Sequence, residues 1–352
     1  LTIMPRVAAA MAEWDGAELP GEETYAALAA DLQEAYKAKT LAKAALRLNY
    51  ELRGFRTLAM RSARRAKRLE APYKEGLIAI DARWGDLDHW RVIKSASSRF
   101  TAHYLLAALD LDLQWDGSVK PATDERKVYI ENLERTFWIS FVVLVWCALL
   151  GYPIAYLIAN SSPRWSRIFL IMVLLPFWTS LLVRTAAWVI LLQRHGIIND
   201  ALLWLHVVEE PLELIFNRFG VYVAMVHILL PFMVLPLYAV MKGIPPDHMR
   251  AAASLGARPL SAFLKVYLPQ SVPGLAAGCM LVFVIALGFY ITPTLVGGGS
   301  DQMLSYLIAL FAIRTANWGM AGALAVLLLL CVAALYPIYH RFAGGAGGLK
   351  VA

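Results

Sequence analysis

The chain has 352 residues, of which 59% are hydrophobic and 17% charged, and its formal net charge is +7. With a mean hydropathy of +0.55, this composition argues against a protein that is water-soluble as a whole. The charges are unevenly distributed, because residues 1–135 hold 21 Lys and Arg and 20 Asp and Glu, whereas residues 136–352 hold only 12 and 6. A polar segment joined to a strongly apolar one is therefore predicted.

Residues 1–135 are predicted to form a small helical subdomain. Apolar and aromatic side chains recur at spacings of three and four residues from Tyr25 to Phe55, with Gly54 as a break. A later stretch of the same character, residues 100–113, is also predicted to be helical, and Asp116-Gly117 would end it.

A run of cations in this segment would place most of its members on one helix face: Arg61, Arg64, Arg65, Lys67 and Arg68. Such a face suits a nucleic-acid backbone or anionic lipid headgroups, and it is also typical of a helix that only faces solvent. The solvated face is the simpler interpretation. A nucleic-acid partner is not expected, because the basic and acidic residues of the whole segment nearly balance, and lipid contact is the better functional alternative.

Five apolar stretches in the rest of the chain are long enough to cross a bilayer, for which a helix needs about 20 apolar residues. They cover residues 137–158, 168–192, 220–241, 272–296 and 319–339. No Asp or Glu falls within them. The three cysteines, Cys147, Cys279 and Cys331, lie inside these stretches and are expected to be packing residues. We therefore predict an all-α fold, a polytopic membrane helix bundle.

The loops between these stretches differ in charge, which predicts the orientation because short loops kept in the cytoplasm are enriched in Lys and Arg. The 242–271 loop carries four basic residues and one acidic residue, whereas the 193–219 loop carries two and four. We therefore place the 242–271 loop and the tail, residues 343–352, in the cytoplasm. With five spans, residues 1–135 are then extracytoplasmic, an arrangement that we expect to involve a sixth, N-terminal span missing from this sequence.

The 242–271 loop has an unusual composition for a loop. The alanines at 251–253 would allow another backbone to approach closely, and Gly256 suits a left-handed turn at the end of a helix. Pro269 and Pro273 are predicted to stop a second short helix before the next span. These features predict two short helices at the membrane face, which could form either a plain interfacial loop or a docking element.

The same loop resembles the cytoplasmic signature of the permease subunits of binding-protein-dependent ABC importers, which reads Glu-Ala-Ala, three residues, Gly, nine residues, then Ile-x-Leu-Pro. The matching positions are Ala251, Ala252, Gly256, Val266, Leu268 and Pro269. Val266 stands in place of the family's Ile. Arg250 stands in place of the family's Glu, so this chain is not expected to offer a carboxylate to the ATPase at that position.

Three further segments are similar to the spermidine/putrescine permease branch of this family: residues 150–156, 175–184 and 229–238. The resemblance covers residues 136–342 and implies the type I permease fold, usually of six spans. It does not extend to the long N-terminal segment.

The resemblance implies a transport subunit and not an enzyme. The 249–269 loop would be a coupling helix seated on a cytoplasmic ATPase dimer, whose closure on ATP would switch the bundle from inward-facing to outward-facing. The residues assigned to this contact are Arg250, Ala251, Ala252, Gly256, Ala257, Phe263, Leu268 and Pro269. A second permease chain would complete the path for a polyamine or related small solute, which an extracytoplasmic substrate-binding protein would deliver.

No cofactor or metal is expected on this chain. The sequence contains no GxxxxGK[ST] phosphate loop, so ATP and Mg would be bound by the partner ATPase. The expected location is the lipid bilayer of the bacterial inner membrane, without a nucleic-acid partner.

Four residues are candidates for the substrate path: Trp178, Arg184, Trp188 and Tyr290. The three aromatic rings could face a cation, although interfacial aromatic belts also explain Trp and Tyr in membrane proteins. Arg184 could hold an anion in a water-filled path, or it could belong to a packing network near the outer end of its span. The resemblance favours the packing role.

Two other functions stay open at this point. One is an intramembrane enzyme that uses Arg184 and His227, although no HxxxH or GxSxG pattern accompanies them. The other is a structural anchor that holds the N-terminal segment outside the cell, which would leave the spacing of the 249–269 loop unexplained.

Overall fold

The computed structural model describes residues 3–67, 69–97, 102–114, 116–123 and 127–344. These residues divide into two compact units: residues 3–128 with Thr315–Ala323, and the remaining residues from 129 onward. Helices dominate both units, so the predicted all-α class is confirmed. The predicted tail, residues 343–352, lies outside the described residues beyond Gly344.

The described part of the first unit contains seven helices and one hairpin. The helices are α1 (Pro5–Glu13), α2 (Glu22–Lys37), α3 (Leu41–Glu51), α4 (Phe55–Ala66), α5 (Tyr73–Ile80), α6 (Leu87–Ser97) and α7 (His103–Ala107), with a 3-10 turn at Ala82–Gly85. The strands β1 (Leu111–Leu113) and β2 (Val119–Pro121) pair antiparallel. Gly54 separates α3 from α4 with a φ of +90°, as predicted.

The predicted helix over residues 100–113 is wrong at its C-terminal end. Residues 98–101 lie outside the described residues, and helix α7 ends at Ala107. Residues 111–113 form strand β1 because the chain reverses at Gly117, where φ is +82°, and returns as β2. The Asp116-Gly117 turn closes a hairpin and does not end a helix.

Aromatic side chains with satisfied polar atoms form the core of the first unit. The Tyr25 hydroxyl donates to the Trp84 carbonyl oxygen at 2.6 Å, and Trp90 Nε1 donates to the same oxygen at 2.9 Å. Trp84 Nε1 donates to Ser62 Oγ at 2.7 Å. All four residues are buried. Burial of large rings is favourable here because each ring's polar atom has a partner.

The basic run on α4 does not form a single free face. Arg61 Nη1 lies 3.1 Å from Asp81 Oδ2 and is therefore engaged within the unit. Arg64, Arg65 and Lys67 are exposed, and Arg68 lies outside the described residues.

The second unit contains the apolar helices. They are α8 (Tyr129–Asn160), α9 (Pro163–Leu174), α10 (Leu181–Leu192), α11 (Ile197–Trp204), α12 (Arg218–Lys242), α13 (Pro246–Ser254), α14 (Pro259–Ala262), α15 (Leu268–Gly288), α16 (Ile291–Val296), α17 (Leu304–Ala309) and α18 (Trp318–Gly344), of which the residues from Leu324 onward belong to this unit. The short turns between them are 3-10 at Leu175–Trp178 and Gly299–Asp301, and π-helical at Phe263–Tyr267 and Leu310–Arg314.

Four helical stretches of the described residues are long and apolar enough to cross a membrane: Tyr129–Asn160, Leu181–Trp204, Arg218–Lys242 and Pro259–Gly288. Shorter apolar helical stretches accompany them, among them Leu304–Arg314, for which no span was predicted. Helix α18 covers the fifth predicted stretch, residues 319–339. A polytopic helical membrane bundle is confirmed, although several of its helices are shorter than the predicted spans.

Two predicted spans are interrupted. The 168–192 stretch is divided between α9 and α10, because Pro176 lies in a 3-10 turn and residues 179–180 are extended. The 272–296 stretch is divided at residues 289–290, where α15 gives way to the separate helix α16. Both stretches are as apolar as predicted, but each consists of two helices and not of one.

Glycines allow α8 and α15 to lie close to α12. A Cβ built at Gly151 of α8 would lie 2.7 Å from Met233 Cγ, and one at Gly274 of α15 would lie 2.8 Å from Val240 Cβ. Gly278, one turn further along α15, faces Met233 in the same way. Small residues spaced by four positions commonly bring membrane helices together, so these contacts position the rest of the bundle.

Candidate functional site

The 242–271 loop consists of one short helix, a turn and the first part of a long helical rod, Pro259–Gly288. The predicted first helix is confirmed as α13. The second helix is not a separate element, because α14 continues through the π-helical turn at Phe263–Tyr267 into α15. Pro269 and Pro273 therefore do not stop the helix. The π-helical turn directly before Pro269 changes the hydrogen-bond register, so the missing N–H is tolerated.

Gly256 ends helix α13 in a left-handed conformation, as predicted. Its φ is +81°. The Gly256 amide donates to the Ala253 carbonyl at 2.9 Å, and the Ala257 amide donates to the Ala252 carbonyl at 3.0 Å. This pair of bonds is the Schellman arrangement, which favours glycine at this position.

The turn that follows α13 presents an exposed apolar side chain. Leu255 is 89% exposed, and Leu260 at the start of the rod is 70% exposed. Ala251 is exposed and Ala252 is buried. Sequence reasoning missed Leu255. A signal that could have identified it is a Leu directly before the glycine that ends a helix, in a loop otherwise rich in small and basic residues.

Arg250 lies on the exposed side of α13. Its Nη1 is 3.1 Å from Asp247 Oδ1, and both side chains are largely exposed. An exposed pair of this kind contributes little to stability. The guanidinium can therefore exchange Asp247 for an acidic group on another molecule at little cost.

The ring of Phe263 packs against three tyrosine rings. Its ring stacks on Tyr267 at 5.8 Å between centroids and meets Tyr156 edge-on at 5.6 Å and Tyr152 edge-on at 6.1 Å. Tyr152 and Tyr156 belong to α8, so this cluster joins the rod to the C-terminal half of α8. Edge-on ring pairs add to the stabilisation from apolar burial.

Polar contacts strengthen the same junction. The Tyr152 and Ser271 hydroxyls lie 2.7 Å apart, and Lys242 Nζ donates to the Ala159 carbonyl near the end of α8 at 3.3 Å. The remaining predicted loop residues surround this junction: Ala257 and Leu268 are half-buried, and Pro269 is exposed at the start of α15. The loop is thus packed against α8 and is continuous with α15.

Two of the predicted path residues, Arg184 and Trp188, lie one turn apart on α10. Trp188 Nε1 donates to His227 Nδ1 of α12 at 3.1 Å, and the two rings are edge-on. Arg184 Nε is buried without a hydrogen-bond acceptor in the described part of the chain.

The other two predicted path residues lie apart from this pair. Trp178 is 78% exposed in the 3-10 turn before α10, so it does not share a helix with Trp188 as the single predicted span implied. Tyr290 directly precedes α16. Helix α16 is joined to α10 through the Thr185 and Thr292 hydroxyls, which lie 3.1 Å apart. Sequence spacing gave no sign of this contact, because the two residues are far apart in the chain.

Among the described residues, no group of three or more His, Cys, Asp or Glu side chains converges in a way that could hold a metal ion. The start of α12 carries an ion pair, which is a structural contact and not a metal site. Arg218 Nε donates to Asp301 Oδ1 at 3.0 Å, and Asp301 Oδ2 accepts from the Gly298 amide at 3.1 Å. This contact fixes the 297–301 turn.

Residues 151–343 match the family described as "Binding-protein-dependent transport system inner membrane component". The chain is also 31% identical over 214 residues to the spermidine/putrescine transport system permease protein PotB of Salmonella typhimurium, covering 61% of this chain and 75% of the relative. It is 36% identical over 177 residues to the inner membrane ABC transporter permease protein YdcU of Escherichia coli, covering 46% and 56%.

The fold is similar to that of a chain in a bacterial alginate ABC transporter, crystallised in complex with an alginate pentasaccharide-bound periplasmic protein. The TM-score is 0.51 at 17% sequence identity, and the likeness covers 61% of this chain and 78% of that one. A likeness at this identity concerns the fold alone.

Proposed function

The chain belongs to the family of binding-protein-dependent transport system inner membrane components, and we propose that with a second permease chain it forms the translocation path of an ATP-driven polyamine importer. Its family consists of permease subunits of ABC importers, which transport and do not catalyse a reaction. The substrate class is supported by the likeness to PotB, whose name specifies spermidine and putrescine.

The loop formed by residues 249–269 is the proposed coupling element. The observation that carries this proposal is the exposed Leu255 beside a glycine-terminated helix, on a rod that continues without interruption into α15. An ATPase groove that encloses α13 and Leu255 gains apolar burial, and motion of that groove pulls on α14 and α15 together. Arg250 favours an acidic group on the ATPase surface.

The remaining assignments follow from this role. The 242–271 loop and the C-terminus lie in the cytoplasm, and the polar N-terminal segment is extracytoplasmic. A cytoplasmic ATPase dimer binds ATP and Mg, while this chain binds no cofactor. An extracytoplasmic binding protein delivers the polyamine.

For the substrate path, we place Trp188, Tyr290 and the exposed Trp178 as aromatic faces for the ammonium groups. Arg184 acts as a packing and positioning residue beside Trp188 and His227. This role is supported by the burial of Arg184 Nε, and a cationic solute has no favourable contact with a guanidinium.

The coupling role is tested with Gly256→Val in the assembled transporter, by measuring ATPase co-purification and ATP-driven uptake of labelled spermidine. Apart from the backbone strain of a left-handed residue, a Cβ at Gly256 meets no other atom of this chain within 4 Å, so a further steric conflict would arise with the partner. We expect loss of ATPase binding and of uptake.

The matched control is Gly117→Val in the hairpin turn of the N-terminal segment. Gly117 has a φ of +82° and is equally open, so the control carries the same backbone strain away from the loop. Unchanged ATPase binding and uptake in Gly256→Val, or equal loss in both variants, would contradict the coupling role. Uptake of another solute but not of spermidine would contradict the substrate class alone.

A further inference from the structure

A cavity of about 460 Å³ lies in the N-terminal helical unit, between the end of α2, the start of α3 and α4. Lys37, Lys39 and Lys67 line it together with Tyr36, and Leu41 and Met60 contribute apolar wall. No acidic residue is among the lining residues. The cavity therefore combines concentrated positive charge with an apolar wall.

The three lysines lack ion-pair partners among the described residues. Some other cations of the unit do have such partners: Arg6 pairs with Glu34, Arg47 pairs with Glu51, and Asp81 binds two arginines. Three like charges around one concavity repel one another and focus a positive potential into it. An anion placed in this concavity is attracted by all three charges.

Lys39 occupies a position that favours glycine. Its φ is +58°, and the Lys39 and Thr40 amides donate to the carbonyls of Tyr36 and Ala35, which makes Lys39 the left-handed residue of a Schellman turn. Glycine would adopt this conformation without strain. The chain thus places an ammonium group at the cavity at the expense of backbone stability.

The opposite wall is held in place by a contact between helices. Gln33 Nε2 donates to the Ala66 carbonyl at 2.7 Å and so joins α2 to the end of α4. Lys67 follows directly, with its Nζ 5.9 Å from the centre of the Tyr36 ring. Lys37 and Lys39, at and after the end of α2, and Lys67, directly after α4, therefore line the same cavity.

We propose that this cavity binds a phosphate group of an anionic ligand, with Lys37, Lys39 and Lys67 as its cationic contacts and the Tyr36 ring and apolar wall beside the rest of the ligand. Lysine ammonium groups bind phosphate as point charges, and three of them match a multiply charged phosphate better than a single carboxylate. The site belongs to the N-terminal unit and does not depend on the proposed transport role.

The phosphate can be part of a soluble solute or of a membrane lipid headgroup, and two measurements on the full chain distinguish these sources. In nanodiscs of phosphatidylcholine, pyrophosphate is titrated calorimetrically. Separately, amide exchange of residues 36–43 and 60–67 is compared between phosphatidylglycerol and phosphatidylcholine nanodiscs. Calorimetric binding identifies a soluble phosphate, and slower exchange in phosphatidylglycerol identifies a lipid headgroup.

The variants are Lys39→Gly and Lys67→Gln, with Arg53→Gln as a control that removes one exposed cation elsewhere in the unit. We expect either cavity variant to weaken binding about tenfold, the loss typical of one charge-assisted contact. Lys39→Gly should at the same time raise the unfolding temperature, because glycine relieves the left-handed strain. A lysine that only stabilised the fold would give the opposite change.

The proposal is overturned if wild-type protein shows neither pyrophosphate binding nor slower exchange in phosphatidylglycerol. It is also overturned if Arg53→Gln weakens binding as much as Lys39→Gly does, since the effect would then reflect overall charge. Selective loss in the two cavity variants supports it.

Discussion

Gly278 of α15 lies against Met233 of α12 so closely that a Cβ built on the glycine would be 2.7 Å from the methionine Sδ and 3.0 Å from its carbonyl oxygen. The sulfur belongs to a flexible side chain and can move, but the carbonyl oxygen belongs to helix α12 and cannot. The approach of these two helices therefore requires a residue without a side chain at 278.

Gly278→Ala should destabilise the chain, because the added methyl group forces α15 away from α12. The matched control is Gly288→Ala at the end of the same helix, where a Cβ would meet no atom within 4 Å. In a helix, Ala is about 1 kcal/mol more favourable than Gly, so the control should be neutral or stabilising. Thermal unfolding in detergent measures the difference, and equal midpoints for the two variants would contradict the close approach.

Leu255→Glu should abolish binding of the ATPase while leaving the stability of the isolated permease unchanged. The side chain is almost fully exposed, so the new charge costs nothing within this chain, whereas burial in a groove would cost several kcal/mol. Co-purification with the ATPase and the unfolding temperature are measured together. Val119→Glu, at an exposed apolar residue of the hairpin, is the control, and retention of the ATPase by Leu255→Glu would refute the contact.

Arg218→Gln should destabilise the chain more than Asp301→Asn does. The Asp301 side chain is only 5% exposed, whereas that of Arg218 is 44% exposed. Removing the arginine leaves a buried carboxylate without its cation, at a cost of about 3 kcal/mol, while the arginine left alone returns to water. The double variant should recover part of the loss. Unfolding temperatures of the three variants test this order, and equal losses in the two single variants would contradict it.

The stability of the N-terminal unit should decrease in acid through Asp81. Its hydrogen bond with Arg83 holds the pKa of the Asp81 carboxyl at about 2, below the ordinary 3.8. The stabilisation is therefore complete above the unfolded pKa of 3.8 and disappears as the pH falls towards 2.

Asp81→Asn should cost about 1–2 kcal/mol at neutral pH, because solvent screens the partly exposed arginines, and this difference should vanish once the pH is below the folded pKa. Amide exchange of residues 73–97 in wild type and variant at each pH measures it. A difference that persisted undiminished in acid would show that the ion pair does not account for the stability.

The orientation is tested by labelling with an impermeant maleimide in a background in which the three native cysteines are replaced. Glu23→Cys in the N-terminal unit and Ser254→Cys in α13 are suitable because both residues are exposed. We expect Glu23→Cys to react in intact cells with a permeabilised outer envelope, and Ser254→Cys to react only after lysis. The reverse pattern would overturn the proposed orientation.

Features that depend on neighbours along the chain were predictable. The left-handed turn at Gly256 and the break at Gly54 follow from the special backbone freedom of glycine. Apolar composition alone predicted the helical bundle. The breaks at residues 175–180 and 289–290 were missed, because hydropathy averages over a window and does not register a single Pro or an extended dipeptide within it.

The sequence by itself determined the class of the protein, since a helix that crosses lipid needs about 20 predominantly apolar residues and a family spacing is a property of the chain. The tertiary structure alone decided which faces meet. It placed Gly278 against Met233, and it brought Lys39, which follows α2, and Lys67, which follows α4, to one cavity. These relationships depend on the packing of residues far apart in sequence, and no local pattern of composition or spacing encodes them.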